Sequence, residues 1–95
     1  MPALTRAEAD VLLREVPGWM LADDTKKISR EFTFPDFKSA LSFVDRIGEI
    51  AELEGHHPDL FLAYSRVRIE LFTHAVGGLS ENDFILAAKI DATLP

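Results

Sequence analysis

Cysteine is absent from the 95-residue sequence. That excludes disulfides, thiolate-ligated zinc, iron–sulfur clusters and a thiol nucleophile, and it fits a reducing compartment. Long apolar runs are absent too. None approaches the roughly 20 residues that span a bilayer, and the opening segment MPALTRAEAD has no apolar signal core, so the expected location is the cytoplasm. Positive charge is scarce: ten Lys and Arg face sixteen Asp and Glu, for a net charge of −6. This balance argues against nucleic acid as a partner, because sequence-independent binding rests on neutralising phosphates. It argues equally against anionic membrane surfaces. Arg66 and Arg68 still allow a locally basic patch. Glycine offers only the doublet Gly77-Gly78, too short to cradle a phosphate.

The length fits one domain, residues 1–95. So small a domain buries only about 60–70% of its unfolded surface. With no cross-link available, self-association is the remaining common way to add buried area. Repeats, low-complexity tracts and linkers are missing, and short elements alternate instead. Thr5-x-x-Glu8 has the form of a capping box, followed by Ala9, Leu12, Leu13 and Val16 at helical spacing and a stop near Pro17-Gly18. Trp19 to Ala22 and Ile28 to Phe34 read as strands about an Asp23-Asp24-Thr25 turn. A long helix is predicted from about Asp36 to Glu54, with Phe37, Ala40, Leu41, Val44, Ile47 and Ala51 as its apolar stripe and Gly55 as its left-handed stop. Leu60 to Tyr64 and Arg66 to His74 read as a second strand pair. After Gly77-Gly78, Ser80-x-x-Asp83 opens a last helix to about Ala92. The order α-β-β-α-β-β-α implies a two-layer α+β domain: a four-stranded antiparallel sheet with helices on one face.

The residues suited to proton transfer are His56, His57 and His74, since imidazole titrates near neutrality. On the last strand, Val67, Ile69, Leu71 and Thr73 share the core-facing side, which turns His74 away from the core. A histidine so placed is either a solvated surface residue or a site residue. His56 and His57 either favour the helix dipole from its C-terminal end or act in chemistry from a loop that Pro58 stiffens. Asp83 sits at the reciprocal position of a capping box and could do that alone. Glu52 is either a solvated helical charge or the acceptor that orients a loop histidine. Three histidines with Asp59 or Asp83 could in principle hold zinc. Neighbouring residues of an extended segment diverge, however, and no His-x-His or HExxH spacing is present.

Taken together, these residues form one pattern: Glu52, three residues, His56-His57-Pro58, five residues, Tyr64, nine residues, His74, eight residues, Asp83. With AELEGHHPDLFLAYSRVRIEL and THAVGGLSENDFILAAKID around it, the sequence resembles the pterin-4a-carbinolamine dehydratases. The likeness runs over most of the chain, including the N-terminal helix and Gly18-Trp19. It implies the same sheet-and-helix fold, a homodimer or homotetramer, and dehydration of a 4a-hydroxytetrahydropterin to the quinonoid dihydropterin. No metal is implied, and no cofactor, the pterin being the substrate. It also implies His56, His57, His74 and Asp83 as catalytic residues, with Glu52, Pro58, Asp59 and Thr73 contacting substrate. In this scheme His56 and His74 form the acid–base pair and His57 positions the pterin. Asp83 orients His74 or binds the ring, and Glu52 supports the His56 loop. Leu60, Phe72 and Ala75 depart from the family pattern, at positions that bear on substrate contacts. Some members of the family also stabilise dimers of a transcription factor, and degenerate relatives act as assembly factors. A non-catalytic binding module of the same fold is therefore the alternative.

Overall fold

The computed structural model describes residues 2–94; the two end residues of the expected 1–95 domain lie outside the described residues. Helix α1 spans Arg6–Leu13 and opens with the predicted capping box. Thr5 Oγ1 accepts from the Glu8 N–H at 3.2 Å, and Glu8 Oε1 accepts from the Thr5 N–H at 2.9 Å. The helix stops short of Pro17. The N–H groups of Arg14, Glu15 and Val16 each return to a carbonyl three residues back, which tightens the chain into turns. Val16 is nevertheless buried.

Strands β1 (Met20–Leu21), β2 (Ile28–Thr33), β3 (Asp59–Ala63) and β4 (Arg66–Leu71) form one antiparallel sheet in the order β1-β2-β4-β3. The register sets Ile28 opposite Leu71, Phe32 opposite Val67 and Leu60 opposite Ile69. Alternation along each strand then puts these side chains on one face, where they meet apolar residues of α1, α2 (Phe37–Glu54) and α3 (Glu81–Asp91). Ile28, Ile47, Ile69, Leu71, Leu79, Leu86 and Ile90 are fully buried, each contributing about 1.5–3 kcal/mol of transfer free energy. Among the described residues no helix is long and apolar enough to cross a membrane.

Two features differ from the sequence expectation. The buried stripe of α2 is Ala40, Phe43, Ile47 and Ala51. Phe43 faces inward because the rings of Phe32 and Phe34 each lie 4.9 Å from its own, and Phe37 and Leu41 are left 46% and 42% exposed. Strand β4 ends at Leu71 rather than running to His74. Beyond it, Thr73 pairs with Gly78 as an isolated bridge, and His74–Val76 wind into a 3₁₀ turn between them. Gly77, at φ 67°, closes that turn in the left-handed region that glycine enters at little cost.

A clasp joins the N-terminal segment, β2 and α3. Trp19 Nε1 donates to Asp91 Oδ1 at 3.0 Å, and Arg30 Nη1 donates to the same oxygen at 2.8 Å. The Arg30 guanidinium also lies 4.6 Å over the Phe32 ring, a favourable cation–π placement.

Candidate active site

Helix α2 ends where the sequence says it should. Gly55 takes φ 64° and ψ 27°, and its N–H bonds the Ala51 carbonyl. The His56 N–H reaches the same carbonyl at 3.2 Å. The chain therefore leaves the helix axis within a residue, and the two histidines that follow part company. His56 turns inward, with its side chain 17% exposed and Nε2 at 2.6 Å from Asp83 Oδ1. His57 turns outward, with its side chain 62% exposed, and its Nε2 pairs with Oε2 of Glu52 in the last turns of α2.

Asp83 lies in the first turn of α3, where the helix dipole favours a carboxylate, and it is completely buried. Its Oδ2 accepts from the Ser80 N–H at 3.0 Å and from the Thr73 hydroxyl at 2.9 Å. A carboxylate has no hydrogen to give, so each bond takes its hydrogen from the partner. The Thr73 hydroxyl hydrogen thus points at Asp83. The Ser80 hydroxyl, 2.7 Å from Thr73 Oγ1, must donate to Thr73. Against the carboxylate His56 donates from Nε2, and in the neutral ring Nδ1 is then the nitrogen without hydrogen. Three donors compensate the burial of the carboxylate, and among the described residues no buried side-chain nitrogen or oxygen lacks a partner.

The sequence reading assigned Asp83 to His74 or to the substrate ring; the structure sets it against His56. The cause is geometric. The first turn of α3 abuts the end of α2, whereas His74 rides the 3₁₀ turn and packs its exposed ring edge-on against Phe72 at 4.5 Å and 65°. Glu52 pairs with His57, the other member of the loop it was expected to support.

The site opens in two directions. His56 and Thr73, with Glu54, Asn82 and Ile85, line a recess of about 250 Å³. His74 and Phe72, with Lys26 and Lys27, line a cavity of about 320 Å³. Thr73 lines the first and His74, its neighbour in the chain, lines the second. Pro58 and Asp59 lead into β3, where Asp59 is exposed opposite Glu70. Lys27 Nζ and Arg68 Nε each bond Glu70 at 3.1 Å. Burial pushes the Glu70 carboxyl up, but hydrogen bonds and charge from Lys27 and Arg68 outweigh it and hold the group below its ordinary value.

The sequence reading missed Ser80 as part of the site, although its place three residues before Asp83 carried the signal. Lys26 and Lys27 carried none, since they reach the His74 cavity only because the β1–β2 turn packs on Gly78. Among the described residues no three His, Asp or Glu side chains converge as a cation site. What the arrangement offers is proton transfer: an imidazole held against a buried carboxylate, and a second imidazole on the short turn that follows Thr73.

The family model described as pterin 4 alpha carbinolamine dehydratase matches residues 2–93. A chain from Aromatoleum aromaticum that carries the same family name is 48% identical over 95 residues, covering 100% of this chain and 85% of the relative. The mitochondrial pterin-4-alpha-carbinolamine dehydratase 2 of Arabidopsis thaliana is 52% identical over 92 residues, covering 94% of this chain and 49% of that protein. Among solved structures, a transcriptional coactivator/pterin dehydratase from Brucella melitensis superposes with a TM-score of 0.89 at 39% identity, covering 95% of this chain and 96% of that one. A pterin dehydratase-like protein identified as a RuBisCO assembly factor in the alpha-carboxysome superposes with a TM-score of 0.68 at 22% identity, covering 79% and 87%. This last likeness is one of fold.

Proposed function

We infer that this chain, which belongs to the pterin 4 alpha carbinolamine dehydratase family, removes water from a 4a-hydroxytetrahydropterin and leaves the quinonoid dihydropterin. The C4a–O bond breaks, and the N5 proton is lost. Hydroxide is a poor leaving group, so an acid protonates the departing oxygen while a base takes the N5 proton. Positioned groups of this kind contribute about 10²–10⁴-fold. His56, working through Nδ1, and His74 are the pair that exchanges these protons. The proton one gives is matched by the proton the other takes. His57, steadied by Glu52, lines the pterin together with Pro58 and Asp59. The chemistry uses no cofactor, the pterin being the substrate.

The observation that carries this assignment is the buried Asp83–His56 pair beside the turn that presents His74. The chain acts as a homodimer or homotetramer, supported by the exposure of Phe37, Leu41, Phe61 and Tyr64 in the single chain. The test is the loss of synthetic 4a-hydroxytetrahydropterin, followed by ultraviolet absorbance. Wild type should accelerate it over buffer, and His56→Ala and His74→Ala should each lower the rate at least about tenfold. Folded wild-type protein that gives no acceleration rejects the dehydratase assignment.

A further inference from the structure

We propose that Thr73 is a positioning residue that ties His56 and His74 into one unit; this rests on the proton-exchange roles given to those histidines above. Thr73 was expected to contact substrate, yet its one hydroxyl hydrogen is spent on Asp83 Oδ2 at 2.9 Å. Its oxygen lies 2.7 Å from Ser80 Oγ, the donor that remains. Through Asp83 the hydroxyl acts on His56, because the carboxylate it orients is the one 2.6 Å from Nε2.

The backbone of the same residue acts on His74. The Thr73 N–H bonds the Gly78 carbonyl at 2.7 Å, and the Thr73 carbonyl accepts from Val76 at 3.2 Å and from Gly78 at 3.4 Å. These bonds clamp the 3₁₀ turn whose first residue is His74. One residue thereby fixes the tautomer of one histidine through its side chain and the location of the other through its main chain. Valine keeps the shape of threonine and removes only the side-chain half of this link. Without the hydroxyl, Asp83 Oδ2 keeps a single donor and the carboxylate can rotate. His56 can then populate the Nδ1–H tautomer, whose free nitrogen faces the wrong way.

The experiment compares wild type, Thr73→Val and Thr73→Ser by steady-state kinetics and by ¹⁵N NMR of the His56 ring. Wild type and Thr73→Ser should show the Nε2–H tautomer and kcat within about threefold of each other. Thr73→Val should show a mixture of tautomers, with kcat down about tenfold and KM within about twofold, the signature of lost transition-state alignment rather than lost binding. A Thr73→Val protein with a wild-type ring spectrum and wild-type kcat overturns the proposal. So does one whose loss falls on KM with the ring spectrum unchanged, which would make Thr73 a substrate contact. If Thr73→Val does not fold, Thr73→Ser decides, since a tautomer mixture or a drop of about tenfold with the hydroxyl retained overturns it too. The ring spectrum requires no substrate, so a wild type that fails to dehydrate pterin yet holds His56 as Nε2–H separates the failure of the function from that of the positioning role.

Discussion

His56 with Asp83 and His57 with Glu52 are the same two chemical groups set in different surroundings. The first carboxylate is wholly buried and takes three donors, while the second is 77% exposed and sits on a helix surface. A hydrogen bond to a carboxylate is electrostatically stronger in the low dielectric of a protein interior than where water competes for the same groups. An exposed pair also spends side-chain entropy and is screened by salt. Burial thus turns a loose association into a part that fixes one proton on one nitrogen, and the residue bearing that part is the one assigned to chemistry.

The largest effect expected from breaking this contrast is at Asp83. Asp83→Ala leaves the Thr73 hydroxyl, the Ser80 N–H and His56 Nε2 without their acceptor. Urea denaturation should show a loss of about 3–5 kcal/mol, and the dehydration rate of the protein that remains folded should fall by about 10² or more. A stability change like that of a surface substitution would mean the pair is not buried in solution. The exposed pair should respond less. Glu52→Gln is expected to cost no more than about 0.5 kcal/mol and to slow turnover by less than about threefold. Raising ionic strength towards 1 M in the wild type should move the His57 ring resonances while leaving those of His56 in place, since exposed pairs are screened and buried ones are not.

Glu70 gives the smallest effect and sharpens the same contrast from the acid side. Its folded value is depressed, so the stability it supplies is present above the ordinary glutamate range and is lost as pH falls through the folded value. The acid slope of stability against pH should be shallower in Glu70→Gln than in wild type, with the two curves parallel above about pH 6. Curves parallel throughout the acid range would show that Lys27 and Arg68 do not hold the group down in solution.

The parts of this site that were legible in the sequence are those specified over a few residues. Gly55 as the stop of α2, and Ser80 and Asp83 at the start of α3, are each local signals with a local cause. The element order and the antiparallel sheet followed from strand alternation and short connections. What escaped depended on distant residues. Phe43 rather than Phe37 faces the core because of Phe32 and Phe34, and nothing within α2 says so. Strand β4 stops at Leu71 because Gly78 bends back to capture Thr73. The Asp83–His56 contact joins positions 27 residues apart, and the sequence pattern gave membership of a group of residues without saying which touches which. The family resemblance implied Thr73 as a substrate contact, yet the direction of its hydroxyl depends on Asp83 and Ser80, which only folding brings to it.

Trp19 is the sole tryptophan of the chain. It is 2% exposed, bonded to Asp91 at the end of α3 and edge-on to Phe32 of β2. Its indole is consequently a built-in optical gauge of the joint between the N-terminal segment, the sheet and the last helix. Release of that joint admits water to the ring and moves its emission to the red, while a change confined to the histidines leaves the colour alone. The intactness of every site variant can therefore be read by fluorescence before any pterin is added.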